Sequence, residues 1–267
     1  MSGSLPPPLG GPAPPEMPLA RSPLARVLSQ VRFSPVLRIG TTDGVTAFQD
    51  QIRKTYPLFE PVPTQQMQIE MGADGPAIKS TPGMVWRFRD AENVVQLSLT
   101  TDTVTLEAMT YEGRDLFLAR WIGVINQIES EFGPGLILRC GMRYVNRIVD
   151  GEWLTRLPEF VAGSLVGMAQ PEFRGFVSQT LSEASTKVAE GEMLLRWGVL
   201  ARNTTIDPGI LTPVPDESWI LDIDVFSSLQ RRYNSTEINQ LFRDLSERAY
   251  TVFRHAITHD GLKFLGG

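Results

Sequence analysis

The sequence predicts an α+β fold made of two similar units, each an antiparallel sheet packed against a long helix. Three observations lead there. Runs of alternating apolar and polar residues recur in both halves, as hairpin-linked strands with one buried face require. Each run of strands is followed by one long stretch with apolar residues at helical spacing. The chain has 267 residues, 42% of them hydrophobic and 9% aromatic, enough to bury a sizeable core. The expected organisation is a tail over residues 1–22, an N-terminal unit over 23–150 and a C-terminal unit over 151–267.

Eight of the 20 prolines fall within Pro6–Pro23, beside Gly10 and Gly11. Proline fixes φ and removes a donor, so residues 1–22 are expected to form a disordered tail with polyproline II character. Such a tail is either an inert leader or a segment for a proline-recognising groove. Order is expected to begin at Leu24. Ala25, Val27, Ser29, Val31 and Phe33 alternate with Arg26, Gln30 and Arg32, a strand interrupted only by Leu28 and stopped by Pro35. A short helix is expected over Asp43–Lys54, with Asp43 as N-cap and Val45, Phe48 and Ile52 along one side.

Strands are expected at Thr64–Met71, Met84–Arg89, Val94–Thr100 and Thr103–Met109. The breaks at Asp90–Asn93 and Thr101–Asp102 are short and polar, so the last three form an antiparallel meander. Phe117, Trp121, Val124, Ile125, Ile128 and Phe132 mark a helix over Gly113–Phe132, which Gly133-Pro134-Gly135 ends. A long strand, Leu136–Val149, follows. In the second half a short helix is expected at Leu154–Gly163, with strands at Phe173–Leu181, Thr186–Ala189 and Glu192–Ala201. Asn203–Asp216 is a loop rich in Thr and Pro. Trp219, Leu221, Ile223 and Val225 give another strand face. Asn234-Ser235-Thr236-Glu237 has capping-box spacing and opens the last helix.

Composition narrows the function. A net charge of −5 argues against a role in wrapping duplex DNA. The single cysteine, Cys140, excludes a disulfide scaffold. No apolar run approaches the ~18 residues of a membrane span, so no membrane association is expected. The first residues lack the charged start and apolar run of an export signal, and the expected compartment is the cytoplasm of a bacterial-type cell.

Arg139 to Ile148 is the most informative stretch. As a strand it places Cys140, Met142, Tyr144, Asn146 and Ile148 on one face. Arg139, Arg143 and Arg147 share the other, a guanidinium ladder with steps of ~13 Å. Arginine binds phosphates and carboxylates bidentately, so the ladder is the candidate anion or partner site. It equally suits ion pairing with Asp222 and Asp224 on a neighbouring strand. Asp222-Ile223-Asp224 also has the spacing of a metal pair, but hard cations need several oxygens and no further acidic cluster lies nearby. His255 and His259, four residues apart, lack a third zinc ligand, and the helix is expected to end there. Cys140 falls on the buried face, where a thiol packs rather than reacts. Phosphate-cradling, serine-hydrolase and zinc-ribbon motifs do not occur, and no cofactor is expected.

Two stretches carry a resemblance. Pro23-Leu24-Ala25-Arg26-Val27-Leu28-Ser29-Gln30-Val31-Arg32-Phe33 resembles the opening strand of a sporadically distributed family of uncharacterised bacterial proteins. Gly141-Met142-Arg143-Tyr144-Val145-Asn146-Arg147-Ile148 resembles that family's Arg-Tyr-x-Asn strand hallmark. The resemblance implies an α+β fold and a bacterial source, and it brings no catalytic residues. Arg143, Tyr144 and Asn146 match the hallmark; Tyr144 and Asn146 are candidates for specifying the fold, since buried polar groups need partners.

The leading expectation is a non-enzymatic cytoplasmic binding or assembly protein acting on a protein partner or as a homo-oligomer. The first alternative is a nucleotide- or nucleic-acid-binding module using the arginine ladder. The second is a metal-dependent hydrolase built on Asp222 and Asp224.

Overall fold

The computed structural model describes residues 6–72 and 75–267. The first half supplies β1 (Leu24–Phe33), α1 (Thr42–Ile52), β2 (Leu58–Gly72), β3 (Gly75–Arg89), β4 (Val95–Leu99), β5 (Thr103–Ala108) and α2 (Arg114–Phe132). The second supplies β6 (Ile137–Ile148), the short helices α3 (Gly151–Thr155), α4 (Leu157–Phe160) and α5 (Pro171–Arg174), then β7 (Ser182–Val188), β8 (Gly191–Leu200), β9 (Ser218–Ser227), α6 (Ser235–Ala256) and α7 (His259–Phe264).

The fold is α+β. Nine strands form one antiparallel sheet in the order β2-β3-β4-β5-β1-β6-β9-β8-β7. The strands of both halves share it, because β1 pairs with β5 on one side and with β6 on the other. The alternation read from the sequence is that of a sheet with one apolar face. Val27, Val31 and Phe33 of β1, Leu97 and Leu99 of β4, and Cys140 and Met142 of β6 all enter one core.

The long helices close that core. Phe117, Trp121, Val124, Ile125, Ile128 and Phe132 of α2 are buried, and Trp121 meets Phe242 of α6 edge-on at 5.3 Å. Burying a side chain such as Phe242 or Leu245 stabilises the fold by roughly 1.5–3 kcal/mol relative to exposure. Gly133 ends α2 in the left-handed region (φ 53°), where a residue without Cβ is least strained. Asn234 caps α6 by accepting from Thr236 N at 3.1 Å and Glu237 N at 3.2 Å.

Leu28, the residue that breaks the alternation of β1, belongs to a second, smaller core. It packs with Val145, Leu200, Leu211 and Ile220 on the sheet's outer face. The Asn203–Asp216 loop supplies Leu211 and, at its margin, Ile206 and Ile210, so this loop folds back over the sheet.

Several elements differ from the sequence reading. The β2–β3 hairpin extends well beyond the expected Thr64–Met71 and Met84–Arg89, pairing from Leu58↔Arg89 to Gly72↔Gly75. Pro61 and Pro63 mask β2 in sequence. They share one parity on the outermost strand, where their missing N–H groups face away from the ladder. The strand expected at Phe173–Leu181 is instead α5 and an irregular stretch, because Pro171 starts a helical turn and Gly175 ends it. The helix expected at Leu154–Gly163 is split at Arg156, and Asp150 caps its first part by accepting from Glu152 N at 2.8 Å.

The tail expected to be disordered is docked over residues 6–22. Arg248, on the buried stripe of α6, donates to Pro8 O and Gly11 O at 2.8 Å each and pairs twice with Glu190 at 2.9 Å. Met17 N donates to Tyr250 Oη at 2.8 Å, and Arg21 N to Leu265 O at 2.9 Å. Proline removes donors and leaves carbonyls free, so a partner rich in arginine and tyrosine donors holds such a segment well. Composition registers the missing donors and cannot register the distant helix that supplies them.

Candidate functional site

The site is organised by β6. Its outer face carries Arg139, Arg143 and Arg147, and its inner face Tyr144 and Asn146. Register decides the outer face, because β6 lies beside β9 with Arg143 opposite Asp224 and Val145 opposite Asp222.

Arg143 holds Asp222 bidentately, Nε to Oδ1 at 2.9 Å and Nη2 to Oδ2 at 2.8 Å, and reaches Asp207 at 3.4 Å. Burial works against the Arg143 charge, but the Asp222 hydrogen bonds and the carboxylates of Asp207 and Asp224 outweigh it and raise its pKa. Asp222, only 2% exposed at its side chain, also meets Arg196 at 3.5 Å. Arg139 pairs with Asp224 at 3.0 Å and lies over the Phe226 ring, 4.3 Å from its centroid. Its guanidinium folds back across Gly141, where a Cβ would stand 2.7 Å from Nη1. Gly141 leaves room for the Arg139 side chain in this position. Arg147 donates to Thr212 O of the outer loop.

The ladder therefore exists, with Arg139 and Arg143 in ion pairs to Asp224 and Asp222. Among the described residues no group of three or more His, Cys, Asp or Glu side chains converges as a metal site would. The two histidines are separated by the end of α6: His255 lies in its last turn and His259 opens α7. Cys140 is buried, and desolvation pushes its thiol up to about 11, which keeps it protonated.

The inner face opens on a cavity of about 420 Å³. Tyr144 and Asn146 of β6 form its floor, Ser246 and Tyr250 of α6 one wall, and Tyr111 and Arg114 at the start of α2 another. The leader residues Glu16 to Leu19 line it from outside. Tyr144 Oη and Ser246 Oγ are hydrogen-bonded at 2.7 Å, and Asn146 Nδ2 donates to Leu221 O at 3.0 Å. Burial raises the pKa of both Tyr144 and Tyr111, so both phenols remain neutral hydroxyls. The ring of Tyr111 stands edge-on to that of Tyr144, with centroids 6.0 Å apart. Such a set of hydroxyls, an amide and one guanidinium, with the carboxylates of Glu16 and Glu112 beside them, is suited to orienting a bound molecule by hydrogen bonds.

Tyr111, Arg114, Ser246, Tyr250 and Arg248 were not singled out in the sequence. Arg248 alone left a signal there: it interrupts the apolar stripe of α6 between Leu245 and Val252, where a charge needs a buried partner.

A further surface lies beside β7, the outermost strand of the second half. Met168, Phe173, Phe176 and Leu181 are all exposed, Phe176 to 91%. No helix among the described residues is long and apolar enough to cross a membrane.

No protein-family model matches the chain, and no curated protein matches it at a significant level.

Proposed function

We propose that this chain is a non-enzymatic cytoplasmic binding or assembly protein whose partner, a protein or a second copy of the chain, docks beside β7. The observation that carries this reading is four exposed large apolar side chains, Met168, Phe173, Phe176 and Leu181, in the segment that leads into β7, a strand at the end of the sheet. Solvent-exposed clusters of large apolar side chains mark interaction sites, and an edge strand offers unpaired backbone groups to a partner. The halves have a similar plan. β1 and β6 lie together at the centre, each leads a meander that returns to pair with it, and each meander is followed by a long helix, α2 or α6. We infer from this plan a duplicated unit, with membership of the bacterial family suggested by the Arg-Tyr-x-Asn strand.

Native mass spectrometry of the untagged protein from its own cells tests the assembly reading. The expected result is an oligomer or a stoichiometric partner that is lost in the double variant Phe173→Asp, Phe176→Asp while the monomer stays folded. A wild-type monomer with nothing bound would overturn it.

A further inference from the structure

The chain's own leader lines the cavity, and one of its contacts there has the form of a ligand. Arg114 is the one cation lining the cavity among the described residues. Its guanidinium, 11% exposed, meets Glu16 at 2.9 Å and Glu247 at 3.4 Å. Glu247 belongs to α6 and is fixed by its helix. Glu16 is different: its side chain is 58% exposed and it rides on an extended segment held by a handful of contacts. Tyr250 accepts from Met17 N and donates to Pro15 O at 3.2 Å, and Arg254 donates to Pro15 O at 3.2 Å. The leader is tied down on either side of this span, by Arg248 at Pro8 and Gly11 and by the carbonyls of Leu265 and Gly266 at Arg21 and Ala20. Met17 and Leu19 pack against the main core, so the span stays docked while the exposed Glu16 side chain can turn away from Arg114.

Behind that span the walls change character. Ile223, Ala249 and Phe253 are apolar, and the hydroxyls of Tyr144 and Ser246 lie on the floor. A volume of about 420 Å³ falls within the range of sites for small organic ligands.

We propose that the cavity binds a small amphipathic carboxylic acid. Its carboxylate replaces that of Glu16 on Arg114, and its apolar body lies against Ile223, Ala249 and Phe253. Glu16 is then a built-in competitor. Carboxylate-to-guanidinium recognition is charge-assisted, and at a part-buried guanidinium it separates an acid from its neutral analogue. The site is independent of the β7 edge, so it fails or holds separately from the assembly reading.

The test is calorimetric titration of the full chain at pH 7 with decanoate and, in parallel, with decanol. Decanoate should bind one per chain, about tenfold or more tighter than decanol. Glu16→Gln removes the competing carboxylate and should tighten decanoate by about threefold, the equivalent of an exposed ion pair, while leaving decanol unchanged. Arg114→Gln should abolish the preference for the acid. If Arg114→Gln compromises folding, Glu16→Gln still decides the matter. No saturable binding of decanoate to that variant, or equal affinity for acid and alcohol, would overturn the proposal.

Discussion

The two faces of β6 both carry polar groups and use them in opposite ways. On the outer face, Arg139 and Arg143 commit their guanidiniums to Asp224 and Asp222 of the adjacent strand. On the inner face, Tyr144 and Asn146 each make one tie to the fold and still line a cavity. The residues that look most like a recognition surface in sequence thus serve cohesion between the strands. Tyr144 and Asn146, read in the sequence as candidates for specifying the fold, border the cavity. What separates them is register: a carboxylate strand lies beside the arginines, while α6 and the proline-rich leader line the cavity beside the tyrosine.

The contrast is broken most severely at Asp222. Asp222→Ala leaves Arg143 part-buried without its bidentate partner and should cost about 3–5 kcal/mol in urea unfolding. The double variant Asp222→Leu, Arg143→Met should cost much less than the two single changes combined, as expected for neighbours that share one interaction. Equal additivity would show that the ion pair does not hold β6 to β9.

The outer core gives the next effect. Leu28→Ala empties part of the small cluster beneath the Asn203–Asp216 loop and should cost about 2–3 kcal/mol. Amide exchange should rise at Leu211 and Asn203, whose N–H groups bond within that loop. A loop that stays protected would mean Leu28 is not what seats it.

On the inner face the penalty should be smaller. Tyr144→Phe removes one hydrogen bond, to Ser246, and should cost about 1 kcal/mol by chemical denaturation. A loss as large as that at Asp222 would erase the distinction between the faces.

The smallest effect is a pH dependence at Asp224. Its folded pKa is raised, chiefly by burial and against the opposing pull of Arg139. A carboxyl whose folded pKa lies above the unfolded one binds its proton more readily when folded. Its contribution to stability is fully present below the unfolded pKa and is lost as pH rises through the folded value. Relative to Asp224→Asn, the wild-type protein should therefore gain stability as pH is lowered from 7 towards 4. A wild type that loses ground to the variant over that interval would reverse the sign and show that the Arg139 pair outweighs desolvation.

Much of this arrangement is legible in the sequence because it follows from local rules. Periodicity locates β1, β4, β5, β6, α2 and α6, since alternation and helical spacing record which face is buried whatever lies opposite. Gly133 and Asn234 mark helix ends through short-range geometry. Even the exceptions are informative: Leu28 and Val145 on a polar face announce a second core, and Arg248 on an apolar stripe announces a buried partner.

Tertiary structure decided the rest, and the reason is range. Pairing Arg143 with Asp222 joins residues 79 positions apart, and docking Pro8 on Arg248 joins residues 240 apart. Composition marks residues 1–22 as poor in donors, and only the folded chain brings donors to carbonyls within residues 6–22. The alternation within β6 was set by its own residues. Which of its faces would meet a carboxylate strand, and which would border a cavity, depended on neighbours that local sequence does not name.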